Sequence, residues 1–158
     1  MLYNYGLKIS KSPSLTEDTL QDFFLYIYEH KENLSDLETI APYLFSSYRR
    51  HLLKTVKKKL KTIAIDEMEK TVVDVNFTPE ELITHQENET FKNKNILNLL
   101  NKLPKRQKEA IYLKYYSGLK TNEIGIVMEI NYQSVVNTIH KALKNLREEI
   151  AIDQLFNS

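Results

Sequence analysis

The residues with the clearest chemical potential lie near the C-terminus, where Gln133, Asn137, His140, Lys141 and Lys144 recur at i, i+4, i+7, i+8 and i+11. On a helix that spacing gathers them on one side. Glutamine and asparagine amides donate and accept at base edges, and lysine ammonium groups meet phosphate. The other side of the same segment carries Val135, Ile139, Ala142 and Leu146, an apolar stripe that must pack on something. Taken alone, such a helix reads equally well as the solvated outside of a core element.

The punctuation upstream favours the first reading. In Leu103-Pro104-Lys105-Arg106-Gln107-Lys108, the proline suits a first helical turn, where its missing N–H is not needed. Gly118 can end that helix, because glycine takes a left-handed backbone without steric cost. Thr121 is the expected N-cap of a short second helix, whose Ile124, Val127 and Met128 form one stripe. Asn131 then caps a third helix, expected to run to about Ile150. Three helices punctuated in this way are the helix-turn-helix layout, with the last placed to enter a DNA groove.

The rest of the chain must carry and position that unit. Its 158 residues suffice for one ordinary domain or two small ones. No run approaches the roughly 20 apolar residues of a membrane span, and no cleavable apolar leader is evident, so the expected compartment is the cytoplasm. With no cysteine there is neither a disulfide nor a thiolate metal site. Three glycines and four prolines beside many Leu, Ile, Lys and Glu favour an all-α fold. His140 lacks an acidic or cysteine partner at ligand spacing, and no phosphate loop, useful carboxylate pair or His/Cys cluster occurs. Neither enzyme activity, a metal nor a cofactor is therefore expected.

The net charge of +1 conceals opposed segments. Arg49, Arg50, Lys54, Lys57, Lys58, Lys59 and Lys61 form a block without an acid between Ser46 and Thr62. Asp66, Glu67, Glu69, Asp74, Glu80, Glu81, Glu87 and Glu89 follow, with only Lys70 against them. Segregated charge locates surfaces, so the total is the wrong statistic. Periodicity places a helix from Thr16, as its cap, to about Lys31, with Leu20, Phe23, Phe24 and Ile27 inward. A second begins at Pro42 and runs into the lysines. A third covers Thr90 to Lys102, with Phe91, Ile96, Leu97, Leu99 and Leu100 as its buried face. The simplest organisation is two small helical domains, 1–62 and 90–158, joined by an acidic linker over 63–89 that is expected to be a mobile tether.

The chain resembles the extracytoplasmic-function sigma factors of bacterial RNA polymerase. Thr16-Glu17-Asp18-Thr19-Leu20-Gln21-Asp22-Phe23-Phe24 resembles the family's polymerase-binding helix, and Tyr43-Leu44-Phe45 its promoter-melting helix. Leu103-Pro104 to Arg147 resembles its promoter-reading helix-turn-helix, and Asn131-Tyr132-Gln133-Ser134-Val135 is similar to the wording of members from Bacteroidetes. The resemblance implies a subunit without catalysis of its own, which binds core RNA polymerase, recognises promoter DNA and supports melting, and which an anti-sigma factor could hold. It implies that Asp18, Gln21 and Asp22 face the polymerase, and that Ser46, Arg49, Arg50 and Lys54 line the near-start promoter strand. Tyr26, Tyr28, Tyr43 and Tyr48 would offer stacking faces, and the loop Leu34 to Thr39 would cradle a flipped base. Gln133, Val136, Asn137, His140 and Lys141 would read the upstream element, while Lys120, Thr121 and Lys144 hold phosphates.

Three departures stand out, beside a mid-helix glycine. The family's first helix is longer than the segment around Leu2-Tyr3-Asn4-Tyr5-Gly6-Leu7, which reads either as a truncated start or as an abbreviated member and leaves the packing of the first domain open. Tyr28 stands where tryptophan is frequent, and Arg50 where asparagine is. Glu129 occupies a turn position often held by glycine, and Gly125 lies in mid-helix, where it is expected to serve close packing against the third helix. The rival reading is a helix-turn-helix regulator that never joins the polymerase; a more distant one is an adaptor for acidic proteins.

Overall fold

The computed structural model describes residues 1–34, 39–61, 73–82 and 90–156. Seven α-helices order these residues, with two 3-10 turns and no strand among them: α1 (Leu2–Ser10), α2 (Pro13–Glu29), α3 (Ile40–Lys61), α4 (Thr90–Lys102), α5 (Lys105–Tyr115), α6 (Thr121–Met128) and α7 (Tyr132–Phe156). The all-helical expectation holds, with boundaries that shift for local reasons. α2 starts earlier than the expected cap at Thr16. Ser12 caps it, its hydroxyl accepting from the Leu15 N–H at 3.3 Å, and Pro13 fills the first turn. Thr16 is instead buried inside the helix, where its hydroxyl donates to the Ser12 carbonyl at 2.8 Å. α3 begins two residues before Pro42, and α7 extends past Ile150.

The expected faces are mostly right. On α2, Phe23 is buried and Leu20 and Ile27 pack beside it, but Phe24 is 50 % exposed: the inward stripe turns towards Leu15, Thr16 and Thr19. On α4, Leu97 and Leu100 face the core while Ile96 is exposed, and the side chain of Phe91 lies outside the described residues. Phe23, Tyr48 and Leu52 form one apolar cluster between α2 and α3.

The larger cluster spans both ends of the chain. Tyr5 of α1 and Phe45 of α3 join Ile111, Leu113, Ile124, Val127 and Val135 in one continuous core. Between them runs the extended segment Val73–Thr78, with Val75 fully buried. This differs from the expected tether. Val73, Val75 and Phe77 alternate with Asp74, Asn76 and Thr78, so the segment buries one side and turns the other outward. The Asn101 side chain bonds both the N–H and the C=O of Phe77, at 2.8 and 3.1 Å, as a strand partner would. Among the acids of the expected linker, Asp66, Glu67, Glu69, Glu87 and Glu89 lie outside the described residues.

Candidate nucleic-acid interface

The C-terminal unit is built from short helices held at fixed angles by their caps. α5 ends at Tyr115, and Gly118, at φ 70°, turns the chain so that the Leu119 N–H reaches the Leu113 carbonyl at 3.0 Å. Thr121 is not the cap of α6 but its first residue. The cap position is Lys120, whose N–H is taken by the Glu123 carboxylate at 2.7 Å. Between α6 and α7 the turn is made by Glu129 in a left-handed conformation, φ 56° and ψ 44°. A non-glycine residue there costs about 1 kcal/mol, and the turn is closed by the Ile130 N–H donating to the Gly125 carbonyl at 3.0 Å. Asn131 caps α7 as expected, accepting from the Ser134 N–H at 2.8 Å. Gly125 is a close-packing point, since a Cβ there would stand 2.8 Å from the Ile130 carbonyl and 3.7 Å from Val135 Cγ2.

That framework turns one side of α7 outward. Val135 and Ala142 are fully buried and Ile139 and Leu146 pack beside them. Gln133, Asn137, His140, Lys141 and Lys144 are exposed and Val136 is half-buried, so all six expected positions share an accessible face. The Gln133 amide donates to the Asn137 side-chain oxygen at 3.1 Å, which leaves Asn137 its two N–H donors. Lys120 is exposed beside the half-buried Thr121 at the start of α6. Lys144 also lies 3.7 Å from Glu148, an exposed pair worth little and easily exchanged for phosphate.

The basic face of α3 is different. Arg50 and Lys54 are exposed, but Ser46 is buried and Arg49 is 9 % exposed. Arg49 Nε and Nη2 donate to the two oxygens of Glu109, at 2.8 and 3.3 Å. The Tyr5 hydroxyl donates to the same carboxylate at 2.7 Å. Burial opposes the charge on Arg49, but the hydrogen bonds and charge of Glu109 outweigh it and raise its pKa. Burial, then the Glu109 charge, pushes the Tyr5 hydroxyl well above the ordinary tyrosine value. Nothing in the order of residues signals this triad, because Tyr5 and Glu109 lie 104 positions apart.

Arg50 and Lys54 line an open cavity of about 330 Å³ together with Phe23, Tyr26, Tyr43, Ser47 and His51. Of the four tyrosines with expected stacking faces, Tyr26 and Tyr28 are exposed, Tyr43 is half-buried at this cavity, and Tyr48 is fully buried. Within the loop Leu34 to Thr39, residues 35–38 lie outside the described residues. On α2, Asp18, Gln21 and Asp22 are all exposed on one face. No helix among the described residues is long and apolar enough to cross a membrane.

Comparison with known proteins agrees with this geometry. Residues 93–146 match the family model for sigma-70, region 4, which covers most of α4, all of α5 and α6 and the first part of α7. The chain is 25% identical over 148 residues to the ECF RNA polymerase sigma factor SigM of Bacillus subtilis (strain 168), covering 92% of this chain and 87% of that protein. Its fold is similar to that of the sigma factor RpoE in its complex with the anti-sigma factor NepR from Bartonella quintana. The TM-score is 0.62 at 16% identity, over 96% of this chain and 91% of that one. A region 4 match over the helix-turn-helix, a near-full-length relative of the same type and the similar helical architecture together support an extracytoplasmic-function sigma factor of RNA polymerase.

Proposed function

We propose that this chain binds core RNA polymerase in the cytoplasm of a bacterium, carries it to promoter DNA and holds the melted strand, with no catalytic chemistry of its own. The observation that carries the reading is the outward face of α7, where amides and lysines stand exposed on a helix whose far side is locked into the core. In this reading Gln133, Val136, Asn137, His140 and Lys141 read the upstream element, and Lys120, Thr121 and Lys144 hold its phosphates. Asp18, Gln21 and Asp22 meet the polymerase. Ser46, Arg49, Arg50 and Lys54 serve the near-start strand, and the chain works as two domains, 1–62 and 90–158, about the acidic segment 63–89. An anti-sigma factor is a further partner, and a Bacteroidetes source fits the wording at Asn131–Val135.

Binding to polymerase separates this reading from that of a regulator that acts alone. Purified core polymerase should retain the wild-type chain on a sizing column and retain Asp22→Ala more weakly. Duplex DNA binding by a chain that never joins the polymerase would replace the sigma reading with the regulator.

A further inference from the structure

Two of the four α3 residues proposed for the near-start strand, Arg49 and Ser46, are buried, and Arg49 is buried against Glu109 of the helix-turn-helix half. The guanidinium of Arg49 is held by both oxygens of Glu109, which also accepts from Tyr5, so α1, α3 and α5 meet at one carboxylate. A carboxylate that grips a guanidinium with two parallel bonds presents the same geometry and charge as a DNA phosphate. Neighbouring pairs close the same joint. α3 packs along α6, and Arg50 lies 3.9 Å from Glu129 across it. The segment between the halves is pinned on both sides. The buried Lys108 meets Asp74 at 2.6 Å and Asn76 at 3.0 Å, and Lys8 of α1 meets Glu81 at 3.0 Å.

We propose that Glu109 is an internal latch: it occupies Arg49 in place of a DNA phosphate and holds the free chain closed, so that the α3 strand-binding face is complete only once the two halves part. The latch rests on the sigma reading and adds the regulation of its second DNA surface. Closure leaves the α7 face free and takes Arg49 out of reach, so duplex and single-strand binding respond differently to release of the latch. The apparent affinity of a masked site falls by the fraction of molecules that are open.

The test uses the full chain, without polymerase. Because the protein has no cysteine, dyes at Ser14→Cys on α2 and Glu149→Cys on α7 report the separation of the halves. Glu109→Gln should lower energy transfer between the dyes and strengthen binding of a mixed-sequence single-stranded DNA roughly tenfold, with duplex binding unchanged. Adding Arg49→Gln should cancel the gain while the halves stay apart, which a purely structural role for Glu109 would not produce. An unchanged dye distance, or opening without tighter single-strand binding, overturns the latch. If circular dichroism shows Glu109→Gln to be unfolded, Tyr5→Phe removes one bond and keeps the carboxylate. It should shift both readouts the same way, about threefold in affinity, and no shift overturns the proposal. These readouts need no polymerase, so failure of the sigma reading would show separately, as a wild-type chain that core polymerase does not retain.

Discussion

The two basic surfaces of this protein are built in opposite ways. On α7 the polar side is exposed from Gln133 to Lys144, where Gln133 pairs with Asn137 and Lys144 with Glu148 along the same helix. On α3 the basic side is split: Arg50 and Lys54 face solvent, while Arg49 is taken up by Glu109 inside the joint between the halves. Both surfaces come from the same device, a helix with cations at helical spacing. The difference lies in what packs against them, since α7 rests on its own unit whereas α3 also supports the other half. One surface is presented whole by folding, and the other keeps Arg49 inside the joint.

A test of that shared joint has the largest expected effect. Leu52 and Leu113 are both fully buried, the first in the α2–α3 cluster and the second in the larger core. Truncating either to alanine should cost about 2–5 kcal/mol. Because the larger core joins Tyr5 and Phe45 to the helix-turn-helix, each variant should lower one common melting transition. Two separable transitions in calorimetry would mean that the halves fold as independent bodies.

The next effect is on recognition. Asn137→Ala should cost about 1–3 kcal/mol in binding the preferred upstream duplex, with little change on unrelated DNA. Lys144→Ala should weaken all duplexes alike and flatten the salt dependence by about one unit of slope. Binding isotherms at several salt concentrations distinguish the two, and equal losses on every sequence for Asn137→Ala would remove it from base reading.

Alkaline titration probes both apolar clusters. Burial, more than any neighbouring charge, pushes the hydroxyls of Tyr48 and Tyr112 up to about 12 from an ordinary 10.0. A raised folded-state pKa means that the folded chain holds these protons more tightly than the unfolded one. Their contribution is therefore complete below pH 10 and is lost as pH rises towards 12. The melting temperature should fall across that window, and Tyr48→Phe should blunt the fall. The smallest effect belongs to Glu129→Gly. Relieving the left-handed turn should stabilise the chain by about 0.5 kcal/mol, because the ion pair with Arg50 that the change removes is long and exposed.

How much was legible in the sequence follows the same division. The helix-turn-helix could be read almost residue by residue, because its signals are local: Gly118 at a turn, Asn131 at a cap, and apolar spacing within one helix. Where a boundary differs, the competing residue is close by. Ser12-Pro13 outranks Thr16 as a start for α2, and Lys120 with Glu123 displaces Thr121 at the start of α6. Gly125 was legible as a packing site because a helix-interior glycine needs a reason. The joint was not legible. Glu109 looks like any helical surface acid, and its pairing with Arg49 depends on how two distant helices meet. Val73, Val75 and Phe77 stand among acids, where the charge of the segment suggests a tether and masks a short alternation of apolar and polar residues.

The central claim is that this chain confers promoter-specific initiation on RNA polymerase. The direct measurement is transcription by purified bacterial core polymerase, with and without the chain, on a library of bacterial promoters. The account predicts defined transcripts that appear only with the protein, weaken with Asn137→Ala through lost promoter binding, and weaken with Asp22→Ala through lost polymerase binding. Duplex binding by the chain with no transcript and no polymerase complex would contradict it.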